Sequence, residues 1–111
     1  MTVKLKIIEF RGDANPILHV LMRNEGISPL QPGSLKYMRT MRNGAVEEGR
    51  VNIDNLEPGQ SSELRIDAGA QCKSIRFTQY ASRSFKNSLP ANGYLEMGFF
   101  GWKIVEPVIL S

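Results

Sequence analysis

A chain of 111 residues, 41% hydrophobic and 23% charged, has the makeup of one ordinary folded domain rather than a disordered segment. Folding at this length removes roughly two-thirds of the accessible surface, which supports one hydrophobic core across residues 1–111 and no second. Fourteen basic against eleven acidic residues permit contact with nucleic acid without requiring it, and the single cysteine excludes an intrachain disulfide.

The dominant hydrophobic period along the chain is two. Val3, Leu5 and Ile7 alternate with Lys4 and Lys6, predicting a half-buried strand that ends near Phe10. The same alternation is not a secretory signal, whose core is an unbroken apolar run, so a cytoplasmic or virion setting is expected. Arg11-Gly12-Asp13-Ala14-Asn15-Pro16 follows. Its Arg-Gly-Asp triplet matches an integrin-type motif, but Gly and Asp are turn formers and a connecting turn is the expected reading.

Ile17 to Met22 is apolar except for His19 and predicts a central strand, ended by Asn24-Glu25-Gly26. Pro29 and Pro32 mark a rigid connection. From Ser34 to Arg42 neither face is cleanly apolar, which places that strand near an edge. Asn43-Gly44 predicts a type I′ hairpin turn, with Val51 and Ile53 on the return limb. Pro58-Gly59 supplies the two central residues of a type II turn ahead of Leu64 and Ile66.

Cys72 to Ala81 predicts a strand with Ile75, Phe77, Gln79 and Ala81 on one face and Arg76, Thr78 and Tyr80 on the other. A polar connection from Ser82 closes at Asn92-Gly93. The last long strand is expected from Tyr94 to Val105, with Gly98 and Gly101 marking a bulge and Pro107 an edge position. The apolar stretch from Phe99 to Leu110 is interrupted by Lys103, Glu106 and Pro107 and is too short to span a bilayer. Short strands separated by turns, with no amphipathic helix, predict a sandwich or barrel.

Asn24-Glu25-Gly26 after a buried strand, the hairpin around Asn43-Gly44, and Leu56-Glu57-Pro58-Gly59-Gln60 before an alternating strand occur in that order. On these residues the stretch from His19 to Ile66, somewhat under half of the chain, resembles the bacterial cell-adhesion-related (CARDB-like) domain family. The resemblance implies an all-β, immunoglobulin-like antiparallel sandwich of about seven strands that serves as a scaffold or spacer rather than an enzyme.

Catalytic groups are sparse. His19 is the only histidine and lies in the most apolar strand, where a hydrogen-bonded structural role is expected. Lys73 beside Cys72 lowers a thiol pKa slightly, yet a small strand-end side chain is the expected reading. One Cys and one His cannot supply the four ligands of a structural zinc site. Adjacent Glu47 and Glu48 point to opposite faces of a strand and make a poor acid–base pair, and nothing marks Glu57 and Glu63 as partners. Phosphate and calcium loops are missing from the sequence, so no cofactor is expected.

Two surfaces remain. Phe99, Phe100, Trp102 and Ile109 belong to the most apolar segment and form the candidate partner surface, fitting a protein partner or self-association. Lys73, Arg76, Arg83 and Lys86, interleaved with Phe77, Tyr80 and Phe85, form a candidate polyanion surface. The expected function is a non-enzymatic structural or interaction subunit, such as a small phage capsid or tail accessory component. A nucleic-acid-binding module is the first alternative. A carbohydrate-binding module stacking sugars on Tyr94 or Trp102 is the second.

Overall fold

A computed structural model describes the backbone of residues 3–12 and, in full, residues 17–82, 89–99 and 101–110. Eight strands follow in chain order: β1 (Val3–Gly12), β2 (Ile17–Asn24), β3 (Gly33–Met41), β4 (Val46–Ile53), β5 (Ser61–Asp67), β6 (Cys72–Ser82), β7 (Leu89–Gly98) and β8 (Gly101–Leu110). Every pairing is antiparallel and the hydrogen-bonded order is β4-β3-β6-β7-β8-β1-β2-β5. The sheet folds over so that β4-β3-β6-β7 and β1-β2-β5 form two layers, and β4 and β5 approach each other at the far edge. The chain changes layer between β2 and β3, between β4 and β5, and between β5 and β6. This is the Greek-key path of an immunoglobulin-like antiparallel β-sandwich.

The core lies between the layers. Leu18, Val20 and Met22 of β2 and Leu64 and Ile66 of β5 face Leu35 and Tyr37 of β3, Ile75, Phe77 and Tyr80 of β6, and Leu95 of β7. β2 is bonded on both sides, as its apolar run predicts, and buries every second residue. β1 continues two residues beyond Phe10, to Gly12; the rest of the expected turn, residues 13–16, lies outside the described residues.

β3 lies near an edge, as expected: it is second in the sheet, with the edge strand β4 on one side and β6 on the other. Other sequence expectations are corrected. The Asn43-Gly44 turn is a three-residue loop. Met41 N–H donates to the Ala45 carbonyl at 2.8 Å, and of the loop residues only Gly44 has positive φ, at 89°. That pattern is a type I turn followed by a left-handed glycine, not a type I′ turn. The Pro58-Gly59 turn is as expected, with Gln60 N–H donating to the Glu57 carbonyl at 2.9 Å and Gly59 at φ 82°.

In β6 the inward face changes partway. Lys36 pairs with Gln79 but Tyr37 pairs with Phe77, so Thr78 is an extra residue in the register. Ile75 and Phe77 are buried before this bulge and Tyr80 and Ser82 after it, while Gln79 and Ala81 are exposed. A bulge resets the alternation, which a strict period of two cannot anticipate.

The expected final strand is two strands. Gly98 pairs with Gly101, and Phe99 lies in the turn between β7 and β8. β7 begins at Leu89, so Asn92-Gly93 lies inside a strand rather than ending a loop. The second half of β8 joins the layers: Val108, Ile109 and Leu110 pair with Leu5, Lys4 and Val3 of β1, while Ile109 and Leu110 also pair with Asn92 and Ala91 of β7. Pro107 precedes this doubly bonded part, where β8 has β7 on one side only. The missing N–H therefore breaks no ladder to β1.

Candidate interaction surface

The β7–β8 hairpin is built by register. Met97 pairs with Trp102, Glu96 with Lys103, Leu95 with Ile104, and Tyr94 with Glu106, leaving Val105 as an extra residue. Leu95 is wholly buried, so Ile104 opposite it lies on the core side. Ile104 is nevertheless 42% exposed and Val105 49%. The reason is the extent of β1: its bonds to β8 stop at the Leu5–Val108 pair, and Gly101 to Glu106 have no bonded strand on that side among the described residues.

At the tip, Phe99 is 97% exposed. Trp102 is half-buried and packs against the core. Phe100 lies outside the described residues. Ile109 is half-buried in the doubly bonded end of β8, seven residues from Trp102, or about 23 Å along an extended strand. Phe99 and Trp102 are thus brought to one end of the sandwich and Ile109 to the other. Met97, Ile104 and Val105 were missed in the sequence, because one continuous strand from Tyr94 hides a hairpin that folds Met97 back beside Trp102.

The polyanion candidates divide as well. Lys73 is exposed in a bulge at the start of β6, where Thr40 pairs with Ser74 but Met41 with Cys72. The Arg76 guanidinium sits 4.6 Å from the centre of the Tyr94 ring and 3.4 Å from a Glu106 carboxylate oxygen. Arg83 and Lys86 lie outside the described residues. Arg76 is therefore already engaged within the outer face of β6, β7 and β8.

The groups with chemical potential have structural surroundings. His19 Nδ1 and a Glu63 carboxylate oxygen are 3.0 Å apart on the outer face of β2 and β5. The Cys72 thiol is buried and bonds to the Ser74 carbonyl at 3.3 Å, and burial pushes its pKa up, outweighing the opposing effects of that bond and of Arg39. Glu47 pairs with Arg39, whereas Glu48 pairs with Lys36 and Arg50. Glu57 accepts from Asn55, apart from Glu63 with its His19 contact. Among the described residues no three His, Cys, Asp or Glu side chains gather as a metal site, and no helix is long and apolar enough to cross a membrane.

Two shallow recesses of about 270 Å³ each are lined by Gly33, Ser34, Asn52 and Ala81 among others, and by Lys73, Ser74, Tyr94, Glu96 and Met97. Both are smaller than ordinary ligand pockets, which start near roughly 300 Å³.

Two of the three turn features singled out in the sequence converge at the end opposite Phe99, while Asn43-Gly44 lies at the Phe99 end. Asn24 is fully buried; its Nδ2 donates to the Ser28 carbonyl at 2.9 Å and the Leu56 carbonyl at 3.0 Å, and its Oδ1 accepts from Gly26 N–H at 2.8 Å. Gly59 N–H donates to the Asn24 carbonyl at 2.7 Å. Asn24-Glu25-Gly26 and Leu56-Glu57-Pro58-Gly59-Gln60 are one hydrogen-bonded cluster that pins two crossovers between the layers. Comparison with family models, with curated proteins and with solved structures finds no match to this chain.

Proposed function

We propose that this protein is a non-enzymatic interaction subunit that binds a protein partner through the β7–β8 hairpin and the adjoining edge of β8. A contrast between the first half of β8 and the β4 and β5 edges carries this reading. The β4 edge exposes Glu47, Glu48 and Arg50 with a single apolar residue, Val46, at its end, and the β5 edge exposes Glu63, Arg65 and Asp67. Charges of this kind guard a strand edge against pairing. The first half of β8 also exposes Lys103 and Glu106, but between them lie exposed Ile104 and Val105, next to Phe99 and Met97. An apolar, half-bonded edge at one end of an otherwise guarded sandwich is a surface for assembly. The role inferred is that of an assembly subunit, as in a virion accessory component.

The test compares the intact chain with Phe99→Ser and Ile104→Thr. Sedimentation over a wide concentration range, together with affinity capture from cells of the source, is expected to show association that both substitutions weaken. A chain that stays monomeric and captures no partner, or whose association ignores both substitutions, overturns the reading.

A further inference from the structure

The β8 edge also carries a charge order that identifies an occupant. Lys103 pairs with Glu96 and Glu106 with Tyr94, both on the outer face of the β6-β7-β8 layer. Three residues apart in an ideal strand, they would face opposite ways; the extra residue Val105 puts them on the same face. Along this edge the outer face reads positive, bulge, negative, and two-fold antiparallel pairing reverses that order in the second strand.

We infer that the occupant of the β8 edge is a second copy of this chain, paired antiparallel through Gly101 to Glu106 of each. The inference rests on the interaction role proposed above and names its partner. Lys103 of one copy then lies opposite Glu106 of the other, twice by symmetry, and the bulges at Ile104 and Val105 meet on the two-fold axis. Across the joint the outer face reads Arg76, Tyr94, Glu106 and then the second copy's Lys103 and Glu96, with charges alternating throughout. The two layers become one longer sheet, and the backbone groups of Gly101 to Glu106 that β7 leaves unbonded gain partners. Glu48 and Arg50 on β4 and Glu63 and Arg65 on β5 would pair in the same way, but among the described residues only β8 places exposed apolar residues, Ile104 and Val105, between its charges. Because the shared edge is short, it buries less than the roughly 1,200 Å² of stable complexes, so the dimer is a weak one.

Charge reversal tests this directly. Lys103→Glu places carboxylates opposite carboxylates in a homodimer, and Glu106→Lys places ammonium groups opposite ammonium groups. Each variant alone is expected to dimerise at least roughly tenfold more weakly than the parent in sedimentation experiments. An equimolar mixture is expected to recover association, because both cross-pairs are then attractive. A misfolded variant cannot produce that recovery, and circular dichroism of each variant checks the fold independently. Dimerisation unaffected by either reversal, or a mixture that stays monomeric while both variants are folded, overturns the inference. A parent chain that is monomeric yet binds a different protein through Phe99 and Ile104 also overturns it, while leaving the interaction role standing; a chain that does neither removes both.

Discussion

Asn24 shows how one side chain can hold two crossovers. Buried polar groups are tolerated when their hydrogen bonds are complete, and Asn24 uses both amide hydrogens and its carbonyl oxygen. Asn24→Ala removes the partner of the Ser28 carbonyl and of the Gly26 N–H and leaves the Leu56 carbonyl with the Leu30 N–H alone. Urea unfolding is expected to show a loss of about 2 to 3 kcal/mol, with the slope unchanged. At the same end of the sandwich the Tyr80 hydroxyl donates to the Gln31 carbonyl from a fully buried ring. Burial pushes the Tyr80 phenol up to about 12, whereas an unfolded tyrosine titrates near roughly 10. The native state therefore keeps a proton that the unfolded chain gives up. Stability from this group is complete below the unfolded value and is lost as pH rises to the folded one, with a slope of about 1.4 kcal/mol per pH unit between them. Tyr37 is shifted in the same direction, also by burial. Unfolding midpoints measured through this alkaline window are expected to fall less steeply for Tyr80→Phe than for the parent.

At the scale of elements, bulges and turns decide which residues face outward. Gly93 marks a register break between β7 and β8, with φ at 152°, and a Cβ there would come within 2.9 Å of both Phe77 and Val108. Gly93→Ala combines a disfavoured backbone conformation with overpacking, and a loss of roughly 2 kcal/mol in thermal or urea unfolding is expected. A neutral result would mean the break is placed elsewhere. The all-β class was legible, since the apolar run of β2 and the alternation in β5 both form the strands they predict. So was the Pro58-Gly59 turn, because the two residues demand that geometry by themselves. The reversal of faces within β6 was not: Thr78 has no local feature that distinguishes a bulge from an ordinary strand position, and only the pairing with Lys36 and Tyr37 reveals it. The hairpin closed by the Gly98–Gly101 pair was hidden for a related reason. Two aromatics read as strand, and the signal lay in Gly98 and Gly101 together, one on each side of the turn, with Gly101 at φ 119°. The candidate surface was consequently legible in its apolar character and at Phe99 and Trp102, but not in its geometry, which depends on where β1 stops pairing with β8.

For the molecule as a whole, the decisive feature is incomplete closure. β8 seals the two layers only over its last three residues, and at the opposite edge the Arg39 guanidinium reaches from β3 to the Asp67 carbonyl at 2.9 Å and to Glu47 at 3.0 Å. One margin is thus held by a charged side chain between guarded strands, while the other leaves half of β8 bonded on a single side. Hydrogen exchange resolved along the chain tests this difference most directly, measured in dilute solution and again under assembling conditions. Protection is expected to rise across Gly101 to Glu106 on assembly, with the amides of β4 and β5 unchanged. Protection that appears on β4 or β5, or a β8 edge that exchanges equally fast in both states, would contradict the account.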